Sequence, residues 1–144
     1  MTVEPPEPPA EDLNWAEVVA WLPRFTDAGF HAGWWAGGEE HAPGVRAMPW
    51  VDYADDVREF IEQLYDLQVV APFDWGTWTQ ERGNDLWDDP QQLAEASLEE
   101  CRMLLAAHVR ADRFTEGHLL HALDSGHIVT ILKRVESLID GRPT

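Results

Sequence analysis

Apolar positions along this chain recur mostly with a helical period, and proline- and glycine-rich joints separate the periodic stretches. Trp15, Val18, Val19 and Leu22 share one face behind a candidate N-cap at Asp12 or Asn14, and Pro23 is expected to end or kink that helix. The clearest amphipathic run follows. Tyr53, Val57, Phe60, Ile61, Leu64 and Leu67 or Gln68 form its apolar face, while Asp52, Asp55, Asp56, Glu59, Glu62 and Asp66 form the acidic one. Asp74 is placed to cap a short helix carrying Trp75 and Trp78, and Asp89 followed by Pro90 is an N-cap with proline at the first helical position.

The carboxy-terminal third repeats the pattern. Ser97 and Glu100 have capping-box spacing ahead of Leu98, Cys101, Leu104, Leu105 and Val109. Phe114, Thr115 and Leu119 sit where a hydrophobic staple would place N′, N-cap and N4 of a helix over 116–124, which Ser125 and Gly126 would stop. Ile128, Ile131, Leu132, Val135, Leu138 and Ile139 then define a last helix. The interval from Phe30 to Trp50 holds Gly33, Gly37, Gly38, Pro43, Gly44 and Pro49, which predicts a loop or at most a short hairpin. The expected fold is therefore all-α: one compact bundle of about five or six helices over 12–140, with a Gly/Pro/Trp-rich loop region. Residues 1–11, with four prolines and three glutamates, read as an extended or disordered tail. A chain of 144 residues can bury about 68 to 70% of its unfolded surface and sustain its own core.

Charge adds a second layer. Net charge is −17, with 20 acidic against 4 basic residues up to Ala96 and 7 against 6 from Ser97 onward. Such a field repels phosphate backbones and anionic membranes and favours basic protein surfaces. Cys101 is the single cysteine, no apolar run reaches the ~18 residues of a membrane span, and the amino terminus lacks the basic and apolar regions of a signal peptide, so a cytoplasmic protein is expected.

The block from Val109 to Arg134 carries the motif VR.DRF.EG.L followed by A…GHIV.IL.R, with MPW at Met48 to Trp50 and PFDW..W at Pro72 to Trp78 upstream. In these residues the chain resembles a family of small bacterial and phage-encoded domains of unknown function, over roughly residues 45–140. The resemblance implies one compact domain and a phage or mobile-element origin. It carries no catalytic residue.

Candidate chemistry gathers in the same block. His108, Arg110, Asp112, Arg113, Glu116, His118 and His121, with Trp75 and Trp78, could form a ligand site or a structural cluster. His118 and His121 share a face at i, i+3, and His108 and Asp112 at i, i+4. The spacing lacks the glutamate of H-E-x-x-H and Cys101 has no cysteine partner, so neither metal nor cofactor is expected. Arginine paired with Asp112, Glu116 or an acid from the amino half, locking helices together, is the favoured use. Ala122 and Gly126, followed by Leu132 and Val135, match a helix-turn-helix, yet Lys133 and Arg134 beside Glu136 and Asp140 offer few phosphate contacts. Of the carboxylate pairs Glu39 and Glu40, Glu59 and Glu62, and Asp88 and Asp89, only Glu59 and Glu62 fall on a predicted long helix, whereas a Mg²⁺ site needs acidic pairs on two facing helices. Trp34, Trp35, Trp50 and Trp87 could line a cleft or anchor an interface. The leading expectation is a non-catalytic, acidic interaction module. Its ridge Asp52, Asp55, Asp56, Glu59, Glu62 and Asp66 would engage a basic partner protein, as a mimic of nucleic acid in its phage-inhibitor form. Alternatives are a ligand- or anion-binding protein or enzyme using residues 108–121, and a DNA-binding protein.

Overall fold

The computed structural model describes residues 3–140, and the first two residues of the acidic tail lie outside that range. The fold is mostly helical, as the periodicity predicts. Helices α1 (Trp15–Val19) and α2 (Leu22–Phe25) lead through a β-ribbon to α3 (Asp55–Asp66). Short helices α4 (Trp75–Trp78), α5 (Asn84–Asp88) and α6 (Pro90–Ala94) then precede α7 (Leu98–Asp112), α8 (His118–Asp124) and α9 (His127–Asp140). Among the described residues no helix is long and apolar enough to cross a membrane.

The predicted signals at α4, α6 and α7 are in place. Asp74 accepts from the Thr77 amide, Asp89 from the Gln91 amide with Pro90 at the first position, and Ser97 and Glu100 form the reciprocal capping box. Gly126 takes a left-handed φ of 82°, closing α8 as its stop signal requires. Other boundaries moved. The first break falls at Ala20 and Trp21, so Pro23 sits in the first turn of α2, where a missing N–H is harmless. The staple at Phe114 and Thr115 does not form. Gly117 is the N-cap of α8, Phe114 is exposed, and a carboxylate from α7 does the capping instead.

The interval read as a loop or at most a short hairpin is a longer antiparallel ladder. β1 (Gly33–Ala36) pairs antiparallel with β4 (Trp50–Tyr53), and β2 (Glu40–Ala42) with β3 (Val45–Arg46), with a bulge between Glu40 and Ala42. Bonds from the Gly38 amide to the Ala47 carbonyl and from the Ala47 amide to the Glu39 carbonyl join the two pairs into one ribbon. Glycine hid these strands. Gly37 holds φ 78° with the Trp50 ring lying where a Cβ would stand, so the residue that looks like a loop marker is what lets the ribbon close.

The core is organised by α7, whose residues from Cys101 through Val109 are all buried. A helix covered all round has no polar face to spare, yet Arg102 lies in it with no solvent exposure. Its guanidinium donates to the carbonyls of Pro6 at 2.7 Å, Gln68 at 2.6 Å, Val69 at 3.3 Å and Pro8, with the Glu99 carboxylate 3.9 Å away. Pro6 and Pro8 thus lie against α7, and Pro6 is buried. At the other end of the core, Phe60 of α3 packs edge-on to Trp21 and Phe25, with ring centroids 5.6 and 4.9 Å apart.

Replacing Arg102 by Met keeps the stem and removes the donors, stranding carbonyls in the interior. Unfolding free energy from denaturant melts should fall by about 3 kcal/mol or more, since an unpaired buried polar group costs about 1 to 3 kcal/mol. Arg102→Lys, with one donor centre in place of a fork, should recover only part of it.

Candidate functional site

Two polar constellations occupy the junction of α5, α7 and α8. The first is built on Asp112, the last residue of α7. Its carboxylate accepts from the Tyr53 hydroxyl at 2.7 Å and from the Leu119 amide at 2.9 Å, and the Tyr53 oxygen accepts from the Leu120 amide at 3.0 Å. The start of α8 is therefore capped from outside, by a carboxylate of α7 and a phenol of β4. Burial first, then the hydrogen bond and charge of Asp112, push the Tyr53 hydroxyl well above its usual range, so it stays a donor.

The second constellation is centred on Trp87 of α5. His127 stacks on its ring at 5.1 Å and 13°, while His108 and His118 approach edge-on at 4.5 and 5.1 Å, and His121 lies 6.0 Å off. His108 Nδ1 and His118 Nε2 are 2.9 Å apart, a distance that demands one shared proton. Nε2 of His108 and of His127 are buried without a hydrogen-bond partner. Burial, reinforced by the neighbouring imidazoles, holds the His108 pKa well below normal, lowers His118, and brings His127 down to about 4. These rings are neutral at pH 7. A cavity of about 60 Å³ adjoins them, lined by Trp75, Thr79, Gly83, Trp87, His108 and His118, beside the π-helical turn Thr79–Gly83.

Most members of the sequence cluster come together here, although not as expected. His108, His118, Asp112 and Trp75 are at the junction, and Trp78 is buried against Phe73 and over Gly83. Among the described residues Arg110 and Arg113 form none of the anticipated carboxylate locks. Asp112 is taken by Tyr53 and Leu119, the Arg110 Nε is buried without a partner, the Arg113 guanidinium lies 6.0 Å from the Tyr65 ring, and Glu116 is exposed. The arginine that does organise the fold, Arg102, was missed because it stands at an ordinary-looking helical position whose partners are backbone carbonyls distant in sequence. His127 and Trp87 were missed as members of this site for a similar reason: α9 and α5 meet only in three dimensions. Among the described residues no group of three or more His, Cys, Asp or Glu side chains is arranged to hold a metal. Neutral imidazoles also bring no charge to attract an anion.

The acidic face is placed differently from the helical wheel. Asp52 belongs to β4, not to α3, and binds Arg58 at 2.5 Å. Asp56 and Glu59 share Arg24 at 3.1 and 3.9 Å. Asp55, Glu62 and Asp66 are exposed and make no ion pair among the described residues.

Asp112→Ala removes a cap and strands the Tyr53 hydroxyl. A loss of about 2 kcal/mol is expected, with amide exchange quickened first in α8. The histidines set a pH dependence. Their folded pKa values lie below the unfolded value of about 6.5, so the unfolded chain takes up protons first. Their contribution is intact above pH 6.5 and is lost as pH falls toward 4. Melting temperature should drop across that window, and His127→Phe, which keeps a ring on Trp87, should flatten the slope.

No curated protein and no solved structure matches the chain. A match to the family of unknown function DUF6508 extends over residues 10–141, taking in both constellations, α3 and the ribbon, and the chain belongs to that family.

Proposed function

We propose that this is a small acidic interaction module, non-catalytic and cytoplasmic, that engages a basic partner protein through α3. The observation that carries the reading is the exposed row Asp55, Glu62 and Asp66, without ion pairs among the described residues, on a chain whose first 96 residues hold 20 acids against 4 bases. Asp55 favours the first turn of α3, but Glu62 and Asp66 repel each other at i, i+4, a cost that a complementary surface offsets. Arg24 and Arg58 interrupt the row. It therefore suits a protein surface with discrete cationic side chains better than the phosphate-tracking groove that nucleic-acid mimicry, and a phage-inhibitor role, would use.

The other readings draw less from the geometry. In a helix-turn-helix, α9 would enter the groove, yet Arg134 of α9 donates to the Ala96 carbonyl and Lys133 lies in a crevice with Ala16, Leu22 and Pro23. A small ligand at the Trp87 junction would meet a narrow, mainly apolar cavity and neutral histidines.

Neutralising the ridge as Asp55→Asn, Glu59→Gln, Glu62→Gln and Asp66→Asn should abolish co-purification of the protein partner captured from host lysate, with helicity by circular dichroism unchanged. The wild-type complex should weaken steeply with salt, since exposed charges are screened within ~10 Å at 0.1 M. A partner retained undiminished by the neutral variant would sink this function.

A further inference from the structure

The β-ribbon carries most of the exposed large apolar surface of the molecule. Trp34, Trp35 and Trp50 are each about half exposed, Val45 is 57% exposed and Met48 is 84% exposed. Exposed indoles grouped on one element are unusual for a surface that meets only water. Strand register sorts them. Trp34 pairs with Asp52 and Ala36 with Trp50, so Trp34, Ala36, Trp50 and Asp52 share one face. Trp35 and Val51 share the other, where Val51 is buried and the Trp35 ring abuts Gly117 at the start of α8. Trp34 and Trp50 are therefore diagonal neighbours, on a face turned away from the core, with the Asp52 carboxylate beside Trp34.

The Trp50 ring is packed, and both tryptophans stand on a paired backbone. Trp50 lies over Gly37, whose left-handed backbone leaves the space that a Cβ would fill, and the β1–β4 ladder fixes the backbone under both. Carboxylates lie at both ends of the ribbon: Glu39 and Glu40 toward the tip, where Glu40 accepts from the Gly44 amide and stands opposite Arg46, and Asp52 at the root. Arg46 and Arg58 are the bases of the ribbon and its root, and Arg58 is already bound to Asp52. Two features decide what covers this face. A second copy of the chain would bring another −17 of charge onto it, which opposes self-association. An indole face attracts a guanidinium or ammonium through its quadrupole, and nearby carboxylates supply the counter-charge.

We propose that the outer face of the ribbon, Trp34 and Trp50 with Glu39 and Glu40 toward the tip and Asp52 at the root, docks arginine side chains of the partner by stacking them on the indoles. This rests on the reading of the chain as a binder of basic proteins and names a second contact, apart from the α3 ridge. Arginine is the specified chemistry, because its flat guanidinium stacks on an indole while pairing with a carboxylate at its edge, which a compact ammonium does not do as well.

The test uses the full chain and a fluorescein-labelled nona-arginine peptide, with nona-lysine as comparison, followed by anisotropy at low salt. Trp34→Ala, Trp50→Ala and the double variant are measured beside the four-site neutral variant of α3. Both indoles are exposed, so their removal leaves the core intact, and circular dichroism checks it. Nona-arginine should bind wild type more tightly than nona-lysine, and the double tryptophan variant should lose about tenfold or more in affinity. Trp34→Phe and Trp50→Phe should retain part of it, and indole Nε1–H resonances of the wild type should shift on titration. Undiminished arginine-peptide binding by the double variant overturns the proposal, and if the α3 variant still fails to bind, the acidic-ridge reading survives alone. Loss in the tryptophan variants with full binding by the α3 variant upholds the ribbon and removes the ridge. Failure of wild type to bind either peptide overturns both.

Discussion

The Arg102 guanidinium is the constraint around which the rest of this fold is arranged. A cation with no solvent exposure is tolerable only if its donors are met, and here backbone carbonyls from two remote segments meet them. One segment is the proline-rich tail, the other the turn that follows α3. Both segments lie outside the helices and strand ladders, so their carbonyls are free to turn toward the guanidinium. Gln68 has a left-handed φ of 64°, placing its carbonyl within that turn. Burial lowers the Arg102 pKa, and the carboxylate of Glu99, which also accepts from the Ala10 amide, works against that shift.

Around that clamp the helices are held by capping from a distance. Asp112 and Tyr53 do for α8 what a residue of its own first turn would ordinarily do, and in doing so they tie the ribbon to α7. Arg82 bonds both Glu100 and Gln92, linking the π-helical turn to the start of α7 and to α6. Burial alone would raise the Glu100 carboxyl, but its bonds from Arg82 and from Ser97 bring it below the usual range. Cys101 next to it is buried, and its thiol is pushed up to about 12, which leaves it a packing residue.

Function divides from architecture along the same lines. His108, His118 and His127 around Trp87 are held below their usual pKa and bring three helices onto α5, which makes the junction sensitive to acid. The surfaces with unused bonding capacity lie on the opposite kind of ground: exposed carboxylates on α3 and exposed indoles on the ribbon. The proposed binding surfaces lie on that ground, while the buried polar cluster holds helices together.

Local signals in the sequence determined what is local in the structure. The period of α3, the caps at Asp74, Asp89 and Ser97 and the stop at Gly126 depend on residues within one or two turns of each other, and all are where the pattern puts them. Charge segregation was equally legible, because it needs only counting. Tertiary structure alone decided that Asp52 leaves the ridge for a strand, that glycines at Gly37 and Gly38 belong to a ribbon, and that Asp112 caps α8 in place of Thr115. It also decided that Arg102, not Arg110 or Arg113, is the interior cation. In each case the energy comes from a partner far away in the chain, and a hydrogen bond across 59 or 96 positions leaves no periodicity for a single sequence to display.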